Sequence, residues 1–251
     1  MLLQKMHVFC SDCLLEYCRH KFRSTIGKEK VLGASDRVLV AVSGGAASLA
    51  MVDMIRGGLE GKMIHKRPKY VTSVVHVDGR KEEKPFLNSK IETKRFFPES
   101  ILSSSEEPAQ LSRDLFTFLC SSSDLDLYLT AIEGTVSKSQ NSHHLLIAAD
   151  DPASLEEKFT RATEFLAEQR ALFGSFFLAS FGRLQSPTSK QDFVERLRTL
   201  GLVRLARSIA FTRIFVGSTR TELATALLSD ISLGRGIEVQ SEMVNSFCCI
   251  I

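Results

Sequence analysis

Val38-Leu39-Val40-Ala41-Val42 runs straight into Ser43-Gly44-Gly45-Ala46-Ala47-Ser48, and this into Leu49, Met51, Val52 and Ile55 at helical spacing. The order is strand, glycine-rich turn, helix. A strand this continuously apolar suits a parallel sheet covered on both faces. A glycine turn at the mouth of a helix presents backbone N–H groups at the positive end of the helix dipole, where phosphate or pyrophosphate is the natural guest. The side chains at the centre of this turn are two alanines, so it can hold an anion but has little to do chemistry with. The plainer reading is a strand-to-helix turn that needs glycine for its backbone angles alone.

The same alternation continues outward from this stretch. Residues 70–77 form a second strand, rich in β-branched side chains and stopped by Asp78-Gly79. Residues 81–94 are charged and helical in character, and 98–108 form a serine- and glutamate-rich loop. Leu111, Leu115, Phe118 and Leu119 mark a short amphipathic helix. Residues 125–132 read as a third strand, 136–142 as a loop, and 145–148 as either a strand or a buried turn. A helix covers 155–177, and Ser186-Pro187-Thr188-Ser189 opens another, with Ser189 and Asp192 in a capping arrangement. Ile214-Phe215-Val216-Gly217 is a strand, 218–233 a helix ended by Gly234-Arg235-Gly236, and 237–239 the start of one more strand. The predicted fold class is therefore α/β, a doubly wound, mostly parallel sheet whose ligands bind at the carboxyl ends of the strands.

At 251 residues the chain suffices for one large domain with a small appendage, and its 44% hydrophobic and 24% charged content is ordinary for a globular protein. A formal charge of +3 selects no partner. No apolar run approaches the roughly 20 residues of a membrane span, and Met1-Leu2-Leu3-Gln4-Lys5 lacks the pattern of a signal peptide. The expectation is a cytoplasmic protein without a membrane partner, and six cysteines in that setting read as thiols or metal ligands.

Residues 1–33 differ in composition from the rest. Cys10-Ser11-Asp12-Cys13 has the spacing of half a zinc ribbon, with Cys18 and His20 as further donors. The alternative is a pair of buried thiols at a helix start, which Asp12 can cap. Redox chemistry is disfavoured because no thioredoxin-like strand precedes the motif. Arg19, Lys21 and Arg23, with Lys28 and Lys30, form a basic cluster interleaved with Tyr17 and Phe22. That cluster suits RNA backbone, or is simply a solvated helix face. Asp78 and Glu222 could meet a ribose or a metal, or serve as ordinary caps. Cys120 reads as core and His143-His144 as surface. Cys248-Cys249-Ile250-Ile251 has the form of a prenylation box that chance explains better.

The turn lacks the Lys-Ser/Thr of the Walker sequence and the spaced glycines of a dinucleotide fold. It resembles instead the PP-loop, Ser-Gly-Gly-X-Asp-Ser, of ATP pyrophosphatases. Ser43, Gly44, Gly45 and Ser48 match, and Ala47 stands where the family's acidic residue usually lies. Cys10 and Cys13 with Tyr17 and His20-Lys21-Phe22-Arg23, the PP-loop strand and turn, Val216-Gly217, Leu223-Ala224 and Leu233-Gly234-Arg235-Gly236 together are similar to the cytoplasmic tRNA 2-thiolation protein 2 family. That family supplies the non-catalytic subunit of a wobble-uridine thiolase.

The resemblance implies a Rossmann-like PP-loop domain over 34–240, with a divergent insertion at about 137–184 and an irregular tail at 241–251. It implies a heterodimer with a catalytic subunit that adenylates the uridine of tRNA and takes sulfur from a thiocarboxylated ubiquitin-like carrier. Ser43, Gly44, Gly45 and Ser48 would line a vestigial phosphate cradle with ATP binding in doubt. Cys10 and Cys13 would hold part of a zinc site, and Arg19, Lys21 and Arg23 would approach tRNA. The upstream cysteine pair and the second cysteine ribbon of the family are missing, so a version shortened at both ends is expected. Two other readings stay open: a thiolase active on its own, and an interaction module without nucleotide or RNA.

Overall fold

A computed structural model describes residues 2–4, 7–28, 32–33, 35–59, 70–79, 112–121, 125–136 and 143–236. The helix read over 81–94, the loop at 98–108, the strand start at 237–239 and the tail with its cysteine pair lie outside the described residues. The chain divides into two compact units, one built from Met1–Asp36, Ala47–Val71 and Phe215–Ile251, the other from Arg37–Ala46 and Thr72–Ile214.

The second unit carries the sheet, which is α/β and mostly parallel as the alternation of elements predicts. Its strands are β3 (Arg37–Val42), β4 (Val71–Asp78), β5 (Asp126–Ala131), β6 (Leu145–Ile147) and β7 (Arg213–Val216), in the order β6-β5-β4-β3-β7. β4 and β5 run parallel, with Val75 opposite Tyr128 and Asp78 opposite Ala131. Residues 145–148, ambiguous in sequence, supply β6, which pairs with β5 antiparallel. Leu146 on this edge strand is exposed while Ile147 is buried, so the three-residue run gives no periodicity to read.

The central strands are apolar because both faces are covered: Val38, Leu39 and Val40 are fully buried, as are Val75 and Leu129. One cluster joins Leu39, Ala41, Val75 and Tyr128 of the sheet to Leu205, Ala206 and Phe211. A second joins Ile132, Phe177, Val194 and Leu197. The helices of this unit are α3 (Arg113–Cys120), α4 (Leu155–Gly182) and α5 (Pro187–Ser208), with a 3-10 turn at Ile132–Val136 after β5. The turn follows the strand read over 125–132 and buries Ile132 and Thr135; of the loop read over 136–142, residues 137–142 lie outside the described residues.

Capping sets the helix boundaries. A capping box at Ser154 and Glu157 starts α4, which continues past 177 through five more residues without a charge. The start of α5 is capped by Ser186, whose Oγ accepts from Ser189 N at 3.0 Å. This corrects the pairing of Ser189 with Asp192: Pro187 fixes the first helical residue, so the cap falls one residue before it. Asp192 instead pairs with Arg196 one turn on.

The first unit begins with a hairpin the sequence reading does not contain, β1 (Leu2–Gln4) antiparallel to β2 (His7–Phe9). The helices α1 (Ser11–Lys28), α2 (Ala46–Leu59) and α6 (Arg220–Ser232) complete it. α6 opens with a capping box between Thr219 and Glu222, which settles Glu222 as a cap. Leu228 and Ile231 of α6 are more than half exposed. Among the described residues no helix is long and apolar enough to cross a membrane.

Candidate functional site

The glycine turn leaves β3 at Val42 and needs three residues before α2 begins at Ala46. Gly44 takes φ of 84°, a left-handed conformation that side chains resist. A Cβ there would also stand 3.1 Å from Leu115 Cδ2 on α3. Gly45 N donates to Ser43 Oγ at 3.3 Å, so the turn closes on itself. Ser43 and Gly45 are exposed, Gly44 half-buried, and Ser48, two residues into α2, is 2% exposed. No acidic residue occupies the first turn of α2, so no helix side chain neutralises its positive end. Within the first unit Gly217 approaches the backbone of Ser48 so closely that a Cβ would lie 2.6 Å from Ser48 Cα. Glycine is required there by space.

The end of β4 is built in the opposite way. Asp78 is 5% exposed and is bonded by the Arg170 guanidinium from α4. A buried carboxylate needs such a partner, and it assigns Asp78 to an ion pair in place of a ribose or a metal. Glu133, fully buried in the 3-10 turn, stands just beyond the end of β5. His76 on β4 is buried and its Nδ1 lies 2.7 Å from Val42 O, the last residue of β3 before the glycine turn. Burial pushes the His76 pKa down, and the neutral ring donates that hydrogen bond.

Cys10 and Cys13 are both exposed at the start of α1. Leu14 N bonds to Cys10 O at 3.0 Å, so Cys10 holds the N-cap position and Asp12 sits within the first turn. Cys13 N donates to Cys10 Sγ at 3.4 Å. That N–H favours the Cys10 thiolate and lowers its pKa, while the Cys13 thiol, bonded to Cys10, has its pKa raised. β2 runs directly into the motif, but it belongs to a two-stranded antiparallel hairpin and not to a thioredoxin-like sheet. Two thiols are too few for a closed zinc site. Among the described residues no group of three or more His, Cys, Asp or Glu could hold a metal ion. The zinc reading therefore does not fit these residues by themselves.

The basic residues of α1 divide. Arg19, its side chain still 41% exposed, reaches Asp53 of α2 within the first unit, its Nε and Nη2 donating to Oδ2 at 3.3 and 2.9 Å. Arg23 Nε donates to Arg19 O, and Lys21 is exposed. Phe22 between them is buried and belongs to packing, whereas Tyr17 is exposed, with its ring 5.3 Å from that of Phe9. Cys120 is half-buried, with its thiol pushed up to about 11, and is inert. His143 and His144 do not stand out in solvent: their rings lie 5.1 Å from Phe173 and 5.6 Å from Tyr128. Sequence reasoning missed Arg170; a lone arginine in a charged helix gives no signal until the helix is placed over β4.

No family model matches the chain, and no solved structure does. Curated relatives do. It is 28% identical to cytoplasmic tRNA 2-thiolation protein 2 of Danio rerio over 96% of its own length and 48% of that protein. It is 28% identical to the Aedes aegypti protein of that name, over 95% and 44%. The figures for the Homo sapiens protein are 27%, 91% and 46%. The chain thus spans about half the length of the curated relatives it matches. Across vertebrates and insects, proteins named cytoplasmic tRNA 2-thiolation protein 2 are homologues of this chain along nearly all of its residues.

Proposed function

We propose that the chain acts in the cytoplasm in 2-thiolation of the wobble uridine of tRNA, as a non-catalytic subunit beside a catalytic PP-loop partner. The observation that carries this is the homology over more than nine-tenths of the chain to proteins named for that process. The chemistry of the two strand ends agrees with it. The turn Ser43-Gly44-Gly45 with Ser48 matches a phosphate-binding turn in sequence but offers alanine at 46 and 47. The buried carboxylate on the neighbouring strand is already bonded to Arg170. In this reading the partner receives sulfur from the ubiquitin-like carrier and adenylates the uridine, while Lys21 and Arg23 contact tRNA phosphates. Phosphate or the phosphates of ATP would sit on the α2 N-terminus as a bound anion.

The test has two arms. In cells lacking the full-length relative, expression of this chain should restore 2-thiouridine in tRNA hydrolysates, and the chain should co-purify with the catalytic subunit. Absence of both defeats the assignment. Pyrophosphate release from ATP by the purified chain with tRNA alone would make it an enzyme in its own right and overturn the non-catalytic role.

A further inference from the structure

From Arg196 to Arg213 the chain carries five arginines, at 196, 198, 204, 207 and 213, with no lysine and no acidic residue. All lie in the second unit. On α5 the buried residues are Val194, Leu197, Gly201, Leu205 and Ala206. At about 100° per residue, Arg196, Arg204 and Arg207 fall within about 80° of arc, in the gap that the buried residues leave between Ala206 and Leu197. All three are exposed, as is Arg213 at the start of the edge strand β7. Arg196 to Arg207 spans about 16 Å of helix. Arg204 Nη1 bonds Thr135 O, which orients one guanidinium along the ridge. Arg37 lies over the Phe211 ring at 4.5 Å, and its backbone exchanges hydrogen bonds with Thr212, so a further cation stands where the ridge ends.

We propose that this ridge is a binding surface for the phosphodiester backbone of a folded RNA. Arginine's planar fork bonds phosphate oxygens in pairs, and its weak hydration lowers the cost of doing so. The exposed hydroxyl-bearing residues Thr199, Ser208 and Thr212 flank it and suit the 2′-hydroxyls that distinguish RNA. Leu200 is the one large exposed apolar side chain on α5, too little to insert into a membrane. The inference deepens the proposed role in tRNA thiolation and places the main contact on α5, where Arg196 carries an ion pair with Asp192 of its own helix, as Arg19 of α1 does with Asp53.

The measurement is binding of unmodified tRNA by the full chain across a salt series. Arg196→Gln/Arg207→Gln/Arg213→Gln should weaken binding about tenfold or more and reduce the salt slope by about 2 to 3. Far-ultraviolet circular dichroism and the urea midpoint should stay at parental values, because only exposed side chains change. Triple replacement by lysine should recover part of the affinity and the whole salt slope. Lys21→Gln/Arg23→Gln should cost less than the α5 variant. Parental binding by the triple Gln variant overturns the inference while leaving the thiolation role intact. Complete failure of the parent to bind tRNA overturns the inference as well, with restoration of 2-thiouridine in cells judging the role separately. Loss of sedimentation with phosphatidylserine vesicles in the triple variant, with tRNA binding unchanged, would reassign the ridge to a lipid surface and overturn it.

Discussion

The ends of β3 and β4 are neighbours in one sheet and have been built by opposite means. At the end of β3 the chain is exposed, small and uncharged, with Gly44 in a left-handed conformation and a helix N-terminus that no acidic side chain neutralises. At the end of β4 a carboxylate is buried and held by Arg170. Nothing that needs the carboxylate at the second can approach it without displacing a guanidinium. The first offers backbone N–H groups and the second a paired side-chain charge, so the two strand ends differ in which part of the chain meets a visitor.

The largest test breaks the closed end. Arg170→Ala leaves Asp78 buried and unpaired and should lower the unfolding free energy by about 2 to 3 kcal/mol, read from the urea midpoint. Asp78→Asn added to it should return much of the loss, because the orphaned charge goes with it. If the single variant is neutral, the two strand ends do not differ in the way described. The next breaks the open end. Gly44→Ala should cost about 1 to 2 kcal/mol from the left-handed backbone and the approach to Leu115, again in the urea midpoint.

A pH series sharpens the link between the two strands. His76 is neutral when folded because its pKa is depressed, whereas the unfolded chain takes up a proton near 6.5. Unfolding therefore binds a proton. Stability should be full above about pH 6.5 and fall as the pH drops from there towards the lowered folded value. His76→Gln should flatten this part of the profile. The smallest test returns to the bare helix start. Ala47→Asp puts a carboxylate in the first turn of α2 and should add about 0.5 kcal/mol, raising the melting temperature by about 1 to 2 °C at low salt. Added sulfate should shrink the difference by occupying the same N–H groups in the parent.

Much of the sheet was legible because its central strands are buried on both faces and read as unbroken apolar runs between turn residues. The glycine turn was legible for the same local reason: φ above zero and a helix start leave a signature within six residues. β6 and the N-terminal hairpin were not, being three-residue strands whose partners, not their own composition, decide them. The ion pair of Arg19 was not legible, because spacing shows charge without showing that Asp53 stands opposite. The arginines of α5 were overlooked for the converse reason. Spread through an amphipathic helix they do not form a run, and only the placement of Leu197 and Leu205 in the core shows which of them share the outer side.

The unit that holds the cysteine pair is stitched from pieces far apart in the chain, its last contribution starting at Phe215. On the ribosome, synthesis is slow relative to the collapse of a nascent segment. The second unit, whose residues end at Ile214, emerges while the hairpin and α1 still await α6. Cys10 and Cys13 are made well before the segment from Phe215 that completes their unit, so they meet the cell's thiols, metals and chaperones before the rest of their own surroundings exist.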